Sequence, residues 1–570
     1  MKKRPGGNDQ ATENSHGILP LDGAFLDGLH AFSGKKALDR VSNHPDPPRL
    51  IKSMSCEDFF WLIKKVGEDQ SLELMKLATL DQWQYILDVE PWQKDRLELN
   101  RMGKWIKRLL TADPERFTQW LFSDVQGLVY YYLSQSIVVE VRNEDEEVFE
   151  AGPEFFTIDG FFYIRPVQED QRETIEALLR TIAQEDTLKY QALVTGVAGV
   201  LPAELEEDMY RIRNVRLAEH GFLPREEAIA VYAPLNPESL KTKKQDASTW
   251  PTASLEDAGE APRWPLQAIR GQNLLTKTIS TLSDARLLDR IRLEFAGLCN
   301  QILSAEGLVN WDMDDLQEIQ LQAAGYLNLI LKERCYDDTD TAESLLRMNT
   351  LVSLFRAGFG LALNLKWKAE RWLKECWFHE AGLEPSFWGE AWGGALTGLL
   401  KRRPLFYCGK ESQSGFRNFK TLPELSSTDN ILDVLDILDR LMAYLTKQYP
   451  LDSPDSGSFH LTFYQLLFTL WARQLLALKP GFEALSSEEA KAFLNLLRSG
   501  DATPPYRMFG FEERFLRAFA SPELDSMDSA SKKLEGALTQ TWQDFSDEME
   551  FVATDAFDAK YSQYILITPG

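Results

Sequence analysis

SCEDFFWLI (Ser55–Ile63), TLDQWQYIL (Thr79–Leu87) and DPERFTQWL (Asp113–Leu121) repeat one pattern, and that pattern decides the fold. Each copy opens on a side chain, Ser55, Thr79 or Asp113, that accepts hydrogen bonds from the free N–H groups starting a helix. An acid follows two positions on (Glu57, Asp81, Glu115), in the first turn, where the helix dipole favours negative charge. An aromatic residue comes next (Phe59, Trp83, Phe117), and Leu62/Ile63, Ile86/Leu87 and Trp120/Leu121 close the copies. Residues three and four apart share a face, so each copy predicts a short helix with one buried stripe. Gln82 fits a capping box with Thr79, and Pro114 stands where a first-turn proline forfeits no hydrogen bond. Met102, Trp105, Ile106 and Leu109, then Val125, Leu128, Val129 and Tyr132, mark two further amphipathic helices. Such helices cannot hide their stripes alone and must stack. The copies begin 24 and then 34 residues apart, so Leu50–Leu133 reads as an irregular array.

Outward from the array, residues 1–48 read as a polar, disordered tail with a short helix near Lys35–Val41 and an extended break at His44–Pro48. Residues 49–135 form the helical-repeat domain. Residues 136–235 read as a small α+β segment: Ile137–Val141 is a strand, and Asn143–Glu147 is an acidic turn. Phe155–Ile164 predicts a hairpin whose Asp159-Gly160 supplies the two positive φ angles of a type I′ turn. Gln171–Gln184, Glu204–Glu219 and Arg225–Tyr232 are helices. Residues 236–265, polar and proline-rich, read as a linker. Residues 266–570 read as one large helical domain, with Leu351–Leu365 apolar nearly all round and therefore central. The expected class is mainly α: an N-terminal irregular array, a small antiparallel hairpin insert and a large C-terminal helical domain.

The net charge of −25 argues against general binding of nucleic acid or anionic membrane, which needs clustered positive charge. Five scattered cysteines with no C-x-x-C pair fit neither a disulfide framework nor a cysteine zinc site. No apolar run has the length of a signal peptide or a membrane span, so a reducing cytoplasm is expected.

PPRLIKSMSCEDFFWLIKKVG, LATLDQWQYILD and Trp92–Leu97, with Leu354–Leu363 and Arg403–Phe406 further on, resemble an uncharacterised bacterial family of long proteins known only as a domain of unknown function. The resemblance covers most of the chain and implies no activity. The array Leu50–Leu133 is also loosely similar to the cytoplasmic N-domain of MgtE-type magnesium transporters. The transporter's membrane helices have no counterpart here, and its magnesium sites cannot be placed on these residues.

No catalytic constellation is present. There is no phosphate-binding glycine loop, no G-x-S-x-G and no second histidine to complete His379-Glu380 as a zinc motif. His220, His379 and His460 stand alone in sequence, without a partner that would make them catalytic. Carboxylate groups at Asp312/Asp314/Asp315, Asp337/Asp338/Asp340/Glu343 and Asp433/Asp436/Asp439 lack the spacing of a calcium loop and read as solvated helix faces. No metal ligand set and no cofactor are expected, although a divalent-cation-responsive regulator is one reading of the acids.

Residues 356–420 are locally basic, with eleven Lys/Arg against six Glu, and five tryptophans interleave with them. Trp367, Arg371, Trp372, Lys374, Arg402 and Arg403 are therefore candidate ligand contacts for an anion. The plainer alternative is that the tryptophans fill a core and the bases pair with the chain's own acids. The leading expectation is a non-enzymatic interaction or scaffold protein whose array presents Phe59, Trp61, Trp83, Trp92 and Trp120 to a protein partner.

Overall fold

The computed structural model describes residues 25–26, 28–93, 95–123, 125–142, 152–197, 202–241, 261–267, 269, 273–307, 312–451, 461–498, 503–520, 528–554 and 563–568. They form two compact units, each mainly α with short antiparallel strand pairs. The first comprises Met1–Ala233, Glu238–Leu327 and Arg334–Arg356; the second comprises Pro234–Pro237, Asn328–Glu333 and Ala357–Gly570. The first unit thus gathers the array, the α+β segment and the opening helices of the stretch 266–570. The division falls inside helix Leu351–Leu373.

All three repeat copies are helices with the caps their first residues promise. In helix Cys56–Val66 the Ser55 side chain accepts from the Asp58 N–H at 3.1 Å, and in Pro114–Leu121 Asp113 accepts from the Arg116 N–H at 3.1 Å. Helix Leu80–Val89 opens on the full Thr79/Gln82 capping box. Their aromatic positions converge, with the Trp83 ring 5.7 Å from Trp120 and 6.5 Å from Phe117. Arg116 lies over Trp83 at 4.1 Å and donates to the Met75 and Ala78 carbonyls at the end of helix Leu72–Leu77. The Gln82 amide donates to the Ile51 and Met54 carbonyls, both at 2.9 Å. Buried polar side chains thus close helix ends that the apolar stripes bring indoors.

The short helix expected near Lys35–Val41 is present, while the disordered character expected of the tail is corrected over its described part. Helix Gly34–Ser42 buries Ala37 and Val41, and Lys65 donates to the His30 carbonyl. His44–Pro48 is not an extended break. Asp46 caps the Arg49 N–H at 3.1 Å and Pro47 opens helix Pro47–Lys52, because proline fits a first turn whose N–H groups have no intrahelical partner. Residues 1–24 lie outside the described residues, as do the acidic turn Asn143–Glu147 and positions 242–260 of the expected linker.

Strand Ile137–Val141 pairs antiparallel with Phe162–Pro166, which pairs in turn with Phe156–Thr157. The hairpin is present but its two-residue type I′ turn is not. Pairing stops at Thr157 and Tyr163, and of the two turn residues Gly160 alone has a positive φ (+73°). The Asp159 carboxylate accepts the N–H groups of Phe161 and Phe162 at 3.0 Å each, so a side chain closes the longer loop.

In the second unit, helices Phe463–Leu475, Phe511–Phe519 and Asp528–Met549 meet on aromatic rings. Phe468 stacks on Phe545 at 4.1 Å and on Phe515 at 4.8 Å, and Trp471 meets Trp542 edge-on at 5.6 Å. Among the described residues, no helix is long and apolar enough to cross a membrane.

Candidate ligand-binding cleft

Helix Pro202–Glu219 in the first unit is fixed to the array by one carboxylate. Asp88, buried at the end of helix Leu80–Val89, takes the Nε and Nη2 of Arg216, both at 2.6 Å, and its carbonyl takes the Nε of Arg213. Just beyond the helix, His220 Nδ1 lies 2.7 Å from Oε1 of the buried Glu57, with the Tyr85 ring edge-on at 4.8 Å. Burial alone would lower the His220 pKa, but the hydrogen bond and charge of Glu57 outweigh it and raise the value. Asn300 donates to the His220 carbonyl at 2.7 Å. Gly221 then turns the chain with φ +82°, so close to Gly297 that a Cβ would stand 2.6 Å from the Gly297 Cα. Only glycine combines that φ with that approach.

This turn delivers Phe222 and Arg225 to the mouth of a cleft of about 480 Å³. Its apolar wall includes Trp92, Tyr210, Leu217 and Leu303. Trp92 is 6% exposed, with the Tyr210 ring at 6.1 Å and the Arg213 guanidinium over its face at 5.1 Å. Burial pushes the Arg213 pKa down to about 10. The polar partners do not balance. The Trp92 indole N–H has no acceptor, and Arg213 makes no ion pair among the described residues: it bonds only the Asp88 carbonyl and the Asn214 side chain. Arg101, in contrast, donates to the Glu90 carbonyl, and Glu90 is paired with Lys64 at 2.7 Å.

A family model described as a family of unknown function, DUF6178, matches residues 19–568. The chain belongs to DUF6178. No curated protein and no solved structure matches it.

The residues expected to carry function in this DUF6178 chain lie elsewhere. Phe59, Trp61, Trp83 and Trp120 are buried in the interior of the array, where they pack the chain itself. Trp92 is buried too, but lines the cleft. None of the six candidate anion contacts at 367–403 lines the cleft. Trp367 is 42% exposed on helix Leu351–Leu373, Trp372 stacks on Phe378 at 6.2 Å, and the Arg371 Nε donates to the Trp367 carbonyl. Lys374 and Arg402 are exposed, while Arg403 is half-buried with partners of its own.

Glu57 stands in the first turn of helix Cys56–Val66, as expected, and is also the buried partner of His220. The solvated acidic faces are corrected at one position. Asp439, 5% exposed, accepts the Trp377 and Phe378 N–H groups at 3.0 and 2.8 Å and so caps helix Trp377–Glu380. Asp338 and Asp312 cap helix starts as well. Among the described residues no group of three His, Cys, Asp or Glu side chains could hold a metal ion.

The cleft residues on helix Pro202–Glu219 were missed in the sequence. Tyr210, Arg213, Asn214 and Leu217 recur at the spacing of one helix face, but they mix charge, amide and ring, so an apolar period does not find them.

Proposed function

We propose that this protein is a non-enzymatic, ligand-responsive regulator of the bacterial cytoplasm whose first unit binds a small organic molecule in the Trp92–Arg213 cleft. The observation that carries the reading is the cleft of about 480 Å³, a cavity sized for a small ligand, whose lining sets Trp92 and Tyr210 beside Arg213. Ligand pockets typically enclose about 300–1,000 Å³, with an apolar wall and a few polar groups that fix orientation. The five free cysteines accord with a reducing compartment. The loose likeness to the MgtE N-domain supports a regulatory role for the array and carries no metal site with it.

The test is a thermal-shift screen of the full-length chain against small metabolites, repeated on Ser304→Trp, which fills the cleft from its lining. Some compounds should raise the melting temperature of the native chain and lose that effect in the variant. If no compound shifts the melt, or if the shifts survive Ser304→Trp, the reading is wrong.

A protein partner is the second reading, and helix Pro202–Glu219 favours one site for it. Ile212 and Val215, 42% and 64% exposed, stand one turn apart on the helix that carries Arg213. A partner there would sense the same helix that the ligand touches. Co-purification lost in the double variant Ile212→Ser/Val215→Ser would support it; an unchanged set of co-purifying proteins would count against it.

A further inference from the structure

Resting on the ligand-binding reading of the cleft, we infer that its ligand is an apolar organic acid with a single carboxylate, held by Arg213 against the Trp92 wall. The accounting of donors leads there. A guanidinium offers five N–H donors, and acceptors from this chain engage only the Nε and Nη1 groups of Arg213, leaving Nη2 without one. Asp88, whose carbonyl Arg213 bonds, has both carboxylate oxygens engaged by Arg216 at 2.6 Å. Arg213 is half-buried, and its Nη2 has no acceptor from this chain, so an anion in the cleft can take it. The lowered pKa of Arg213 reports the same imbalance. The Trp92 ring, under the Arg213 guanidinium at 5.1 Å, gives the same wall an aromatic face. Arg225, exposed at the mouth, makes no ion pair among the described residues.

The acids of the lining set the number of charges. Asp95 and Glu226 border the same cleft and have no cationic partner among the described residues. They repel a ligand carrying several phosphates but leave room for one carboxylate, whose two oxygens suit the fork of a guanidinium. Leu217, Leu303 and Phe222 are then the seat of the ligand's apolar body.

Calorimetry on the full-length chain decides the matter, with 3-phenylpropionate, indole-3-acetate and decanoate each run beside its uncharged amide, and with phenyl phosphate and ATP as anions of other kinds. At least one carboxylate should bind, its amide about tenfold or more weakly, as expected for a lost charged hydrogen bond, and ATP not at all. Arg213→Gln should abolish the preference for carboxylate over amide; if that variant does not fold, Arg213→Lys, which keeps the charge and loses the fork, should narrow the preference. Trp92→Phe, which shrinks the aromatic wall, should weaken the carboxylate and its amide alike and keep the preference for the carboxylate. An amide as tight as its acid, a phosphate tighter than the carboxylates, or an Arg213 variant with unaltered preference would overturn the inference and leave the cleft as a site for another class. If none of the compounds binds, the inference falls, and the metabolite screen alone then decides the broader reading.

Discussion

In the basic strip 356–420 the half-buried Lys366, Lys368 and Arg417 each meet a carboxylate of their own chain, whereas in the cleft Arg213 meets none among the described residues. Lys368 lies 2.6 Å from both Asp429 and Asp433, Arg417 forks onto Glu424 at 3.0 and 3.1 Å, and Lys366 donates to carbonyls at the end of helix Gly389–Leu400. Arg213 has a carbonyl and an amide. Tryptophan alone does not separate the two regions, since Trp372 and Trp388 in the strip also leave their indole N–H without an acceptor. What separates them is an unpaired guanidinium beside the ring and a cavity to receive a ligand. A run of bases in sequence measures how much charge is present; the unmet charge is what points to a ligand.

The comparison breaks most visibly through the strip's tryptophans. Trp388 is fully buried among Phe387, Phe378 and Phe463, with ring distances of 4.9 to 5.8 Å. Trp388→Ala should cost about 3–5 kcal/mol, as for other large-to-small changes in a core. The exposed Trp367→Ala should cost under about 1 kcal/mol. Urea unfolding of the two variants reads the difference, and equal losses would contradict a core role for the strip. On the cleft side, Gly221→Ala should destabilise by more than about 1 kcal/mol, because both the positive φ and the approach to Gly297 resist a side chain. A thermal melt unchanged by that substitution would show that the turn delivering Phe222 and Arg225 is not held where it is.

Helix-forming information in this chain is local, and so it was legible. Ser55, Thr79 and Asp113 cap their helices through bonds that span three residues, and the capping box of Thr79 and Gln82 follows from spacing alone. The hairpin was legible as a pair of strands, but its turn was not, because the Asp159 side chain competes with the backbone geometry that the Asp-Gly dipeptide favours. The site was illegible for a different reason. Glu57 and His220 are 163 positions apart, and Asp88 and Arg216 are 128 apart. Whether an acid is solvated or buried depends on what the fold brings to it, and nothing within a helical turn of Glu57 announces a histidine. Trp92 was singled out from sequence for the size of its ring; its placement beside Arg213 needed the fold.

The Glu57–His220 tie makes the comparison depend on pH. Because Glu57 raises the His220 pKa in the folded chain, the contribution to stability is complete below the unfolded value of about 6.5 and is lost as pH rises through the raised one. Asp58 adds the same sign: burial pushes it up to about 7, against the Trp264 and Arg263 N–H groups that hold it down, so its share is lost as pH climbs toward 7. Urea midpoints should therefore fall between pH 5.5 and 8.5, and His220→Gln should flatten part of that fall. An identical slope in the variant would mean that His220 does not titrate in this range.

The smallest expected effect is the sharpest test of the contrast between the two regions. Arg417 and Arg225 are both arginines near aromatic rings, but Arg417 is paired with Glu424 and lies over Phe406 at 4.8 Å, while Arg225 has no ion pair among the described residues. Arg417→Gln removes a two-pronged charged hydrogen bond from a half-buried carboxylate and should lower the urea midpoint, with a loss of about 1–2 kcal/mol in unfolding free energy after allowance for its partial exposure. Arg225→Gln removes a charge that the ligand-free chain does not use, so its midpoint should not move. A stabilising role for Arg225 without ligand would mean that its charge is already answered within the chain. The mouth of the cleft would then stand on the same footing as the strip, and Arg213 alone would carry the distinction between them.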